Sequence, residues 1–410
     1  MNKKVIIISF TFAPSNKIGA RRWTKFSKYF LKKGIDIQVI TSKTNIGQFF
    51  FNELKLIKDR IHPISFNYPI FLATDPKKIR QKLLYRLSLY WSKINTNLNY
   101  YDRAVHGKKN LIKKIEEFLD LGYKNVIVSV APFHMATHLC ELIPKYPDVN
   151  FIVDFRDPWT YNKTAFGYFS MSKKRRELED LSEKKVIETF SHVVTVAEKL
   201  TFDLSKKYDT SKAAFLTINN GFDKDDLYDV RESIESNKIK FVFTGTLYNN
   251  VEDYYHMFLD FLDFIKSIDI DLYEKIEINF YGDSKSKFIT NHEKIVFHGF
   301  IDRHSIQQFI CNADFGLLFL SDDINYSFST KFIEYISYKL PVIIFSSQGE
   351  TTKYVERNNI GLGIRSKNDF KNLHSIIKLK TEGNDGFYNE FDINLFDLEK
   401  ITELYIKLLK

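Results

Sequence analysis

One helix-forming segment begins with residues that could hold an anion. Ser329 and Thr330 are favourable N-cap residues, so we expect a helix to begin there with free backbone N–H groups. Lys331, in the first turn, would be opposed by the helix dipole unless an anion were bound nearby. Glu334, one turn later, could accept hydrogen bonds from two vicinal hydroxyls, as on a ribose. The pattern indicates a holder for a nucleoside diphosphate.

The same pair has a simpler interpretation. At a spacing of three residues, a surface Lys331–Glu334 pair would add only about 0.2–0.5 kcal/mol to helix stability. The residues alone leave both interpretations open. The apolar run Val342–Phe345 directly after Pro341 predicts that this helix leads into a buried parallel strand.

The composition predicts a globular chain of more than one domain. It has 410 residues, 44% hydrophobic and 27% charged, which exceeds the size of a usual single core. Residues 1–120 hold 24 Lys and Arg against 8 Asp and Glu, whereas residues 121–410 hold 36 against 43. The basic first part favours a polyanionic partner such as nucleic acid, anionic lipid or a phosphorylated substrate. Two cysteines without metal-ligand spacing favour a reducing, cytoplasmic compartment.

Apolar runs alternating with helical patterns predict two successive parallel sheets, each covered by helices on both faces. We expect a first Rossmann-like domain over 1–218, a second over 219–394, and a final helix over 395–410. In such α/β folds, ligands bind beyond the carboxyl ends of the strands, so we expect a site in the cleft between the domains. The first unit is interrupted at 76–115 by a basic amphipathic segment. Its apolar face could pack on the core or contact an anionic membrane through 77–94.

Three further groups of residues could contribute to a site. Gly19 follows the first strand and would let the backbone approach a phosphate or sugar. In Asp154–Trp159 (DFRDPW), Asp157 or Arg156 could contact acceptor hydroxyls, or an Arg156–aspartate network could brace the loop. His134 and His138 could contact the transferred sugar or the acceptor, although a lone histidine near a strand end is commonly structural.

Several segments together resemble the GT-B glycosyltransferases, particularly glycosyltransferase family 4. The signature with Lys331 and Glu334 resembles the family's donor-binding helix. Five other segments match in the same order: residues 4–31, Phe151–Trp159, Val194–Leu200 with Asn219–Asp223, Phe243–Tyr248 with Phe280–Asp283, and His298–Phe300.

The resemblance implies an α/β fold of two Rossmann-like domains facing across a cleft, with the C-terminal helix packed on the first domain. It also implies retaining transfer of a sugar from a nucleotide-sugar, here a substrate and not a cofactor, without a divalent metal. Lys331 would stabilise the leaving diphosphate and Glu334 would orient the donor. Residues that would line the donor site are Ser329, Thr330, Gly245, Thr246, Gly282, Gly299 and Phe300.

The chain departs from the family pattern at two places. Many members carry a second, earlier glutamate, which falls here on Tyr326. The Arg and Lys that usually follow the first glycine turn of the second domain are replaced after Gly245 by Thr246 and Leu247. The diphosphate role is therefore assigned to Lys331 and to the helix start at Ser329 and Thr330.

Expected partners are a nucleotide-sugar donor, a UDP-sugar by preference, and a lipid-linked or saccharide acceptor in bacterial cell-surface polysaccharide synthesis. We expect the protein in the cytoplasm, either free or peripheral on the inner face of the cell membrane. A sugar-nucleotide 2-epimerase of the same architecture is the alternative. A nucleic-acid binder lacks a recognised motif, and a dinucleotide oxidoreductase lacks GxGxxG after the first strand.

Overall fold

A computed structural model of the chain describes most of its residues. These are 3–15, 18–43, 53–73, 76, 78–95, 102–160, 168–208, 212–228, 237–282, 286, 288–301, 303–322, 326–383 and 386–410. Lys77 and Asp283, named above, lie outside the described residues. By its internal contacts the chain forms two compact units, Met1–Asn219 with Leu398–Lys410, and Asn220–Asp397.

The strands are short and largely buried, as the apolar runs predicted. In the first unit they are β1 (Lys4–Ser9), β2 (Asp36–Ser42), β3 (Ile61–Ile64), β4 (Asn125–Val130), β5 (Asn150–Phe155), β6 (His192–Thr195) and β7 (Ala214–Thr217). In the second they are β8 (Ile239–Thr244), β9 (Ile276–Tyr281), β10 (Ile295–Gly299), β11 (Phe315–Phe319), β12 (Val342–Phe345) and β13 (Gly361–Ile364).

Helices connect these strands and close the chain. They are α1 (Ile18–Lys32), α2 (Leu54–Ile57), α3 (Ile79–Asn95), α4 (Lys108–Asp120), α5 (His134–Leu139), α6 (Lys173–Thr189), α7 (Glu198–Lys207), α8 (Glu252–Ile268), α9 (Ile270–Lys275), α10 (Arg303–Cys311), α11 (Thr330–Ser337), α12 (Glu350–Arg357), α13 (Phe370–Thr381) and α14 (Leu398–Leu408). None of the described helices combines the length and the apolar character that crossing a bilayer demands.

Both sheets are parallel and doubly wound. Within the described residues, the first sheet has the order β3-β2-β1-β4-β5-β6-β7 and the second the order β10-β9-β8-β11-β12-β13. Neighbouring strands of the described residues pair in parallel; Val5, for example, pairs with Ile37 on one side and with Asn125 on the other. The prediction of an α/β fold with two Rossmann-like sheets is confirmed.

Each sheet is sandwiched between apolar layers. In the second unit, Phe241 and Phe243 of β8 face a core shared with α8 and α13, while Val242 between them faces the core formed with α11. This alternation is what a strand buried on both faces requires.

The C-terminal helix α14 packs in the first unit, as the expected fold requires. The ring of Tyr405 lies 5.0 Å from the rings of both Trp23 and Phe26 of α1, centroid to centroid. Both helices contribute to one core with β1 and β2. The chain therefore returns to its first unit after completing the second.

Candidate functional site

The start of α11 has the capped geometry that the sequence predicts. Ser329 has extended backbone angles, and its Oγ accepts a hydrogen bond of 3.1 Å from the N–H of Phe332. The N–H groups of Thr330 and Lys331 have no intrahelical acceptor, because they belong to the first turn. The helix therefore presents two donors and the positive end of its dipole at this point.

Buried contacts of Tyr335 hold α11 against the sheet. Its hydroxyl accepts a 3.0 Å hydrogen bond from the N–H of Thr244, at the end of β8, and lies 3.3 Å from the carbonyl oxygen of Val242. After the helix, Lys339 adopts a φ of +54°, and the N–H of Leu340 returns to the carbonyl oxygen of Tyr335 at 3.1 Å. This helix ending turns the chain directly into β12, so the first turn of α11 is fixed relative to β8.

The topology of the second sheet identifies where a ligand would bind. β8 is central: the chain proceeds from it to β9 on one side and later places β11 on the other. The crevice beyond the carboxyl ends of such diverging strands is the usual ligand position in doubly wound sheets. Gly245 directly follows β8, and α11 follows the neighbouring strand β11. Both therefore lie at the switch point of the sheet, which is the place between β8 and β11 where the order of the strands reverses.

Three glycines mark the carboxyl ends of β8, β9 and β10. The N–H of Gly245 donates to the carbonyl oxygen of Tyr281 at 2.7 Å, and the N–H of Gly282 donates to that of Gly299 at the same distance. Gly245 and Gly282 have φ values of +115° and +132°. A Cβ on Gly282 would lie 2.1 Å from the carbonyl oxygen of Gly245. The turns after these strands therefore depend on residues without side chains.

The space above Gly245 is occupied by the side chain of Lys331. A Cβ on Gly245 would lie 2.2 Å from Cε of Lys331 and 2.9 Å from its Nζ. The ammonium also lies 5.2 Å from the centre of the Phe243 ring, within the range of a cation–π contact. The absence of a side chain at Gly245 thus lets Lys331 lie along the end of β8.

The electrostatic setting of Lys331 is unusual for a helix lysine. Burial lowers its pKa from 10.5 to about 8, and the negative charge of Glu334 only partly opposes that shift. Among the described side chains, Lys331 makes neither a hydrogen bond nor an ion pair, and neither does the carboxylate of Glu334. The simpler interpretation, a paired surface Lys331–Glu334, is therefore not what the structure contains. An anion at this point would meet a buried cation that makes no ion pair with a described residue.

The other residues expected to line a donor site take different positions around the same strand ends. Thr246 is partly buried directly after Gly245. Gly299 has a φ of +73°, and a Cβ there would meet open space. Glycine is therefore favoured at this position by the backbone conformation and not by a lack of room. Phe300 is 82% exposed. Such a large unpacked aromatic ring beside the end of β10 is available to stack on a flat ligand.

A small pocket at the ends of β11 and β12, lined mainly by hydroxyl-bearing residues, was not predicted from the sequence. It is lined by Leu320, Ser321, Ser346, Ser347, Gly349, Thr351 and Thr352. The hydroxyls of Ser346 and Thr352 lie 2.9 Å apart. The only available signal was the density of hydroxyl residues between Ser346 and Thr352, which is also typical of an ordinary loop.

In the first unit, Gly19 accommodates a side chain of the same unit. A Cβ on Gly19 would lie 2.1 Å from a terminal nitrogen of Arg156, whose guanidinium therefore lies across the start of α1. Nε of Arg156 donates to Asp157 at 2.9 Å, and both side chains are partly exposed. The space expected for a phosphate or sugar at Gly19 is taken by Arg156.

His134 and His138 are both held by neighbouring loops. The backbone N–H of His134 donates to Asp102, and its ring lies 3.7 Å from Glu179 and edge-on to Trp159. Nε2 of His138 lies 2.9 Å from the carbonyl oxygen of Ala104, and burial lowers the pKa of this histidine. These contacts are those of histidines that brace a loop.

A buried ion pair is the main feature of the first unit that the sequence did not reveal. Asp154 pairs with Arg22 at 3.0 Å, not with Arg156, and it also accepts a 2.7 Å hydrogen bond from Trp23. Arg22 further donates to the hydroxyl of Tyr405 and to the carbonyl oxygen of Ile218. These bonds join α1, β5, the end of β7 and α14. The DFRDPW segment therefore begins with a structural carboxylate.

Comparison with known proteins agrees with this architecture. Residues 263–382 match the family model described as "Glucosyltransferase 3-like, C-terminal domain", which covers less than half of the chain. No protein of curated function matches the sequence. Among solved structures, trehalose-6-phosphate synthase OtsA is similar with a TM-score of 0.61 and 10% identity, over 99% of this chain and 98% of that one.

Two further solved structures share the fold. Sucrose-phosphate synthase from Thermosynechococcus elongatus has a TM-score of 0.59 and 13% identity, over 99% of both chains. A putative UDP-N-acetylglucosamine 2-epimerase from Listeria monocytogenes has a TM-score of 0.55 and 12% identity, over 99% of this chain and 95% of that one. At these identities the likeness concerns the fold: two Rossmann-like domains of the GT-B type.

Proposed function

We propose that the chain is a glycosyltransferase that moves a sugar from a nucleotide-sugar, a UDP-sugar by preference, to an acceptor hydroxyl. The observation that carries this proposal is Lys331. Its ammonium lies over Gly245 at the switch point of the second sheet, with a pKa lowered to about 8 by burial and no ion-pair partner among the described residues. A nucleoside diphosphate would supply the missing negative charge.

The same residues would assist departure of the diphosphate. As the glycosidic bond breaks, negative charge builds on the leaving phosphate oxygens. Lys331 and the free N–H groups at the start of α11 are fixed before the reaction, so they would stabilise that charge without rearranging. Glu334 would accept hydrogen bonds from the ribose hydroxyls, and Phe300 would stack on the base. In this scheme the cation is Lys331, so no divalent metal is required.

The acceptor role in the first unit falls to Asp157. Its carboxylate is partly exposed and pairs with Arg156, so it can exchange that partner for a sugar hydroxyl. We assign His134 and His138 to bracing the acceptor loop, because their described contacts are internal. Retention of anomeric configuration, a lipid-linked or saccharide acceptor, and a place in bacterial cell-surface polysaccharide synthesis follow from the family resemblance and complete the proposal.

The matches support this proposal at a coarser level. A glucosyltransferase-like model matches the part of the second unit that contains β9 to β13 and α11. Two similar structures are named as synthases of sugar phosphates. The epimerase neighbour favours a second candidate, a sugar-nucleotide 2-epimerase, since that fold also binds a nucleotide-sugar.

One experiment separates the two candidates. The protein is incubated with a panel of UDP- and GDP-sugars, with and without saccharide and lipid-diphosphate acceptors, in the presence of EDTA. Nucleotide release that requires an acceptor, and is lost in Lys331→Met, supports transfer. Interconversion of the donor sugar without any acceptor supports the epimerase. Absence of nucleotide binding by both wild type and variant would refute the site.

A further inference from the structure

Helix α3 of the first unit presents its apolar residues to solvent. Ile79, Tyr90 and Ile94 are 87%, 67% and 62% exposed, and Leu83, Leu84, Leu87 and Trp91 are exposed as well. By contrast Ser92, a small polar residue of the same helix, is fully buried. In a helix that packs on a soluble core, the apolar stripe faces inward. In α3 the arrangement is reversed.

The exposed apolar residues form one continuous face. At 3.6 residues per turn, all seven fall within about 140° of the helix circumference. Arg80, near the start of the helix, is the one polar residue in that arc, and its long side chain can keep its charge at the edge of an apolar layer. α3 contacts the short 3₁₀ helix Ile70–Ala73. Of the seven apolar side chains, Trp91 also lies 5.1 Å from the ring of His106, centroid to centroid, yet all seven remain exposed.

Cations border one edge of this face, and α3 itself contains no Asp or Glu. Residues 76–101 contain no Asp or Glu. Exposed Lys82 and Arg86 fall along one edge of the apolar arc, with Lys93 beside them, and exposed Lys78 directly precedes the helix. An apolar stripe bordered by cations, with two aromatic residues on it, is typical of helices that lie in the plane of a membrane interface.

We propose that α3 is a membrane-docking surface that binds an anionic lipid bilayer. The helix lies parallel to the bilayer, with the side chains of its apolar face among the upper acyl segments and its cations at the lipid phosphates. The face is suited to a lipid surface more than to a protein, because it has cations on its edge and no carboxylate to pair with a partner's cations. This docking does not depend on the proposed transfer reaction, although it would bring the enzyme to a lipid-linked acceptor.

The tryptophans allow a direct test on the intact protein. Of the three, Trp23 and Trp159 are buried and Trp91 of α3 is 46% exposed. Vesicles of phosphatidylcholine mixed with phosphatidylglycerol should shift the tryptophan emission to the blue, and lipids carrying a shallow bromine label should quench it. Trp91→Phe should remove both effects. An emission unchanged by anionic vesicles, at low salt and with a folded protein, overturns the proposal.

Variants that lack the cations or the apolar residues of α3 show whether these side chains bind the vesicles. Each surface cation contributes about a fivefold gain in partition, so Lys78→Gln/Lys82→Gln/Arg86→Gln should weaken vesicle binding by about 100-fold. Wild-type binding should also fall as salt is raised. A matched control removes three exposed lysines of α6 and should bind like wild type: Lys173, Lys174 and Lys185 changed to Gln.

The apolar face is tested by Leu83→Ser/Leu87→Ser/Ile94→Ser, which should abolish co-sedimentation with anionic vesicles. The matched control Leu181→Ser/Phe202→Ser replaces exposed apolar residues elsewhere in the unit and should retain binding. If the face instead covers a second copy of the chain, wild type will self-associate in sedimentation velocity and the triple variant will not, and neither will bind vesicles. That result overturns the proposal. Binding of UDP by all variants remains a separate readout of the nucleotide site.

Discussion

Replacing Lys331 with methionine should stabilise the protein while removing nucleotide binding. Methionine keeps most of the length and the apolar contact of the lysine side chain over Gly245 and Phe243, but it carries no charge. The wild-type lysine is held where burial disfavours its ammonium form. Removal of that charge therefore relieves a cost that the folded protein carries when no anion is bound.

The size of the gain follows from the pKa of Lys331. A fall from 10.5 to about 8 corresponds to at most about 3 kcal/mol, since one pKa unit is about 1.36 kcal/mol. The unfolded chain binds the proton more tightly than the folded one. The cost is thus fully present below pH 8 and disappears as the pH rises from about 8 to 10.5. Lys331→Met should be more stable than wild type at pH 6–7 and equal to it near pH 10.5.

Urea denaturation followed by circular dichroism at a series of pH values measures this difference. Lys353→Met is a matched control, because Lys353 is an exposed lysine of α12 in the same unit. It should change the free energy of unfolding by less than about 0.5 kcal/mol at any pH. If Lys331→Met is less stable than wild type at pH 6–7, or the difference does not depend on pH, then Lys331 is not a desolvated cation.

Four more outcomes are expected. UDP affinity should fall about tenfold for each pH unit above 8, because the diphosphate binds the protonated form of Lys331. Calorimetry in buffers of different ionisation enthalpy should detect the proton that is taken up on binding. Gly245→Ala should weaken UDP binding at least tenfold in the same titration, because the added Cβ would displace Lys331. The control Gly383→Ala should leave UDP binding unchanged, because a Cβ there meets open space. Glu334→Gln should raise the Kd for UDP by about tenfold, through loss of charged hydrogen bonds to ribose, and should leave the Kd for pyrophosphate unchanged. Asp154→Asn should lower the free energy of unfolding by about 3 kcal/mol, since it leaves Arg22 buried without its carboxylate, yet UDP binding should persist.

The features predicted well from the sequence depend on neighbouring residues. Ser329 could be assigned as a cap because its partner, Phe332, is three residues away. The strands were found because a strand buried on both faces is apolar throughout.

The features that could not be predicted depend on distant residues. Arg22 and Asp154 are 132 positions apart, and nothing local distinguishes Asp154 from Asp157 as the partner of an arginine. The contact of Arg156 with Gly19 likewise joins two residues that are far apart in the sequence. The burial that lowers the pKa of Lys331 includes its packing over Gly245, which follows β8 and is distant in the sequence. The expected donor-site residues could therefore be placed near strand ends from the sequence, but their burial and pairing could not.

A crystal structure of the protein with UDP would show whether the diphosphate binds at the start of α11. The quantity to measure is the distance from Nζ of Lys331 to the nearest diphosphate oxygen. We expect a direct contact of about 2.8 Å, with the backbone N–H groups at the start of α11 on the same phosphate and the ribose hydroxyls on Glu334. A UDP molecule bound with its diphosphate away from the start of α11, and Lys331 still without an anion, would contradict it.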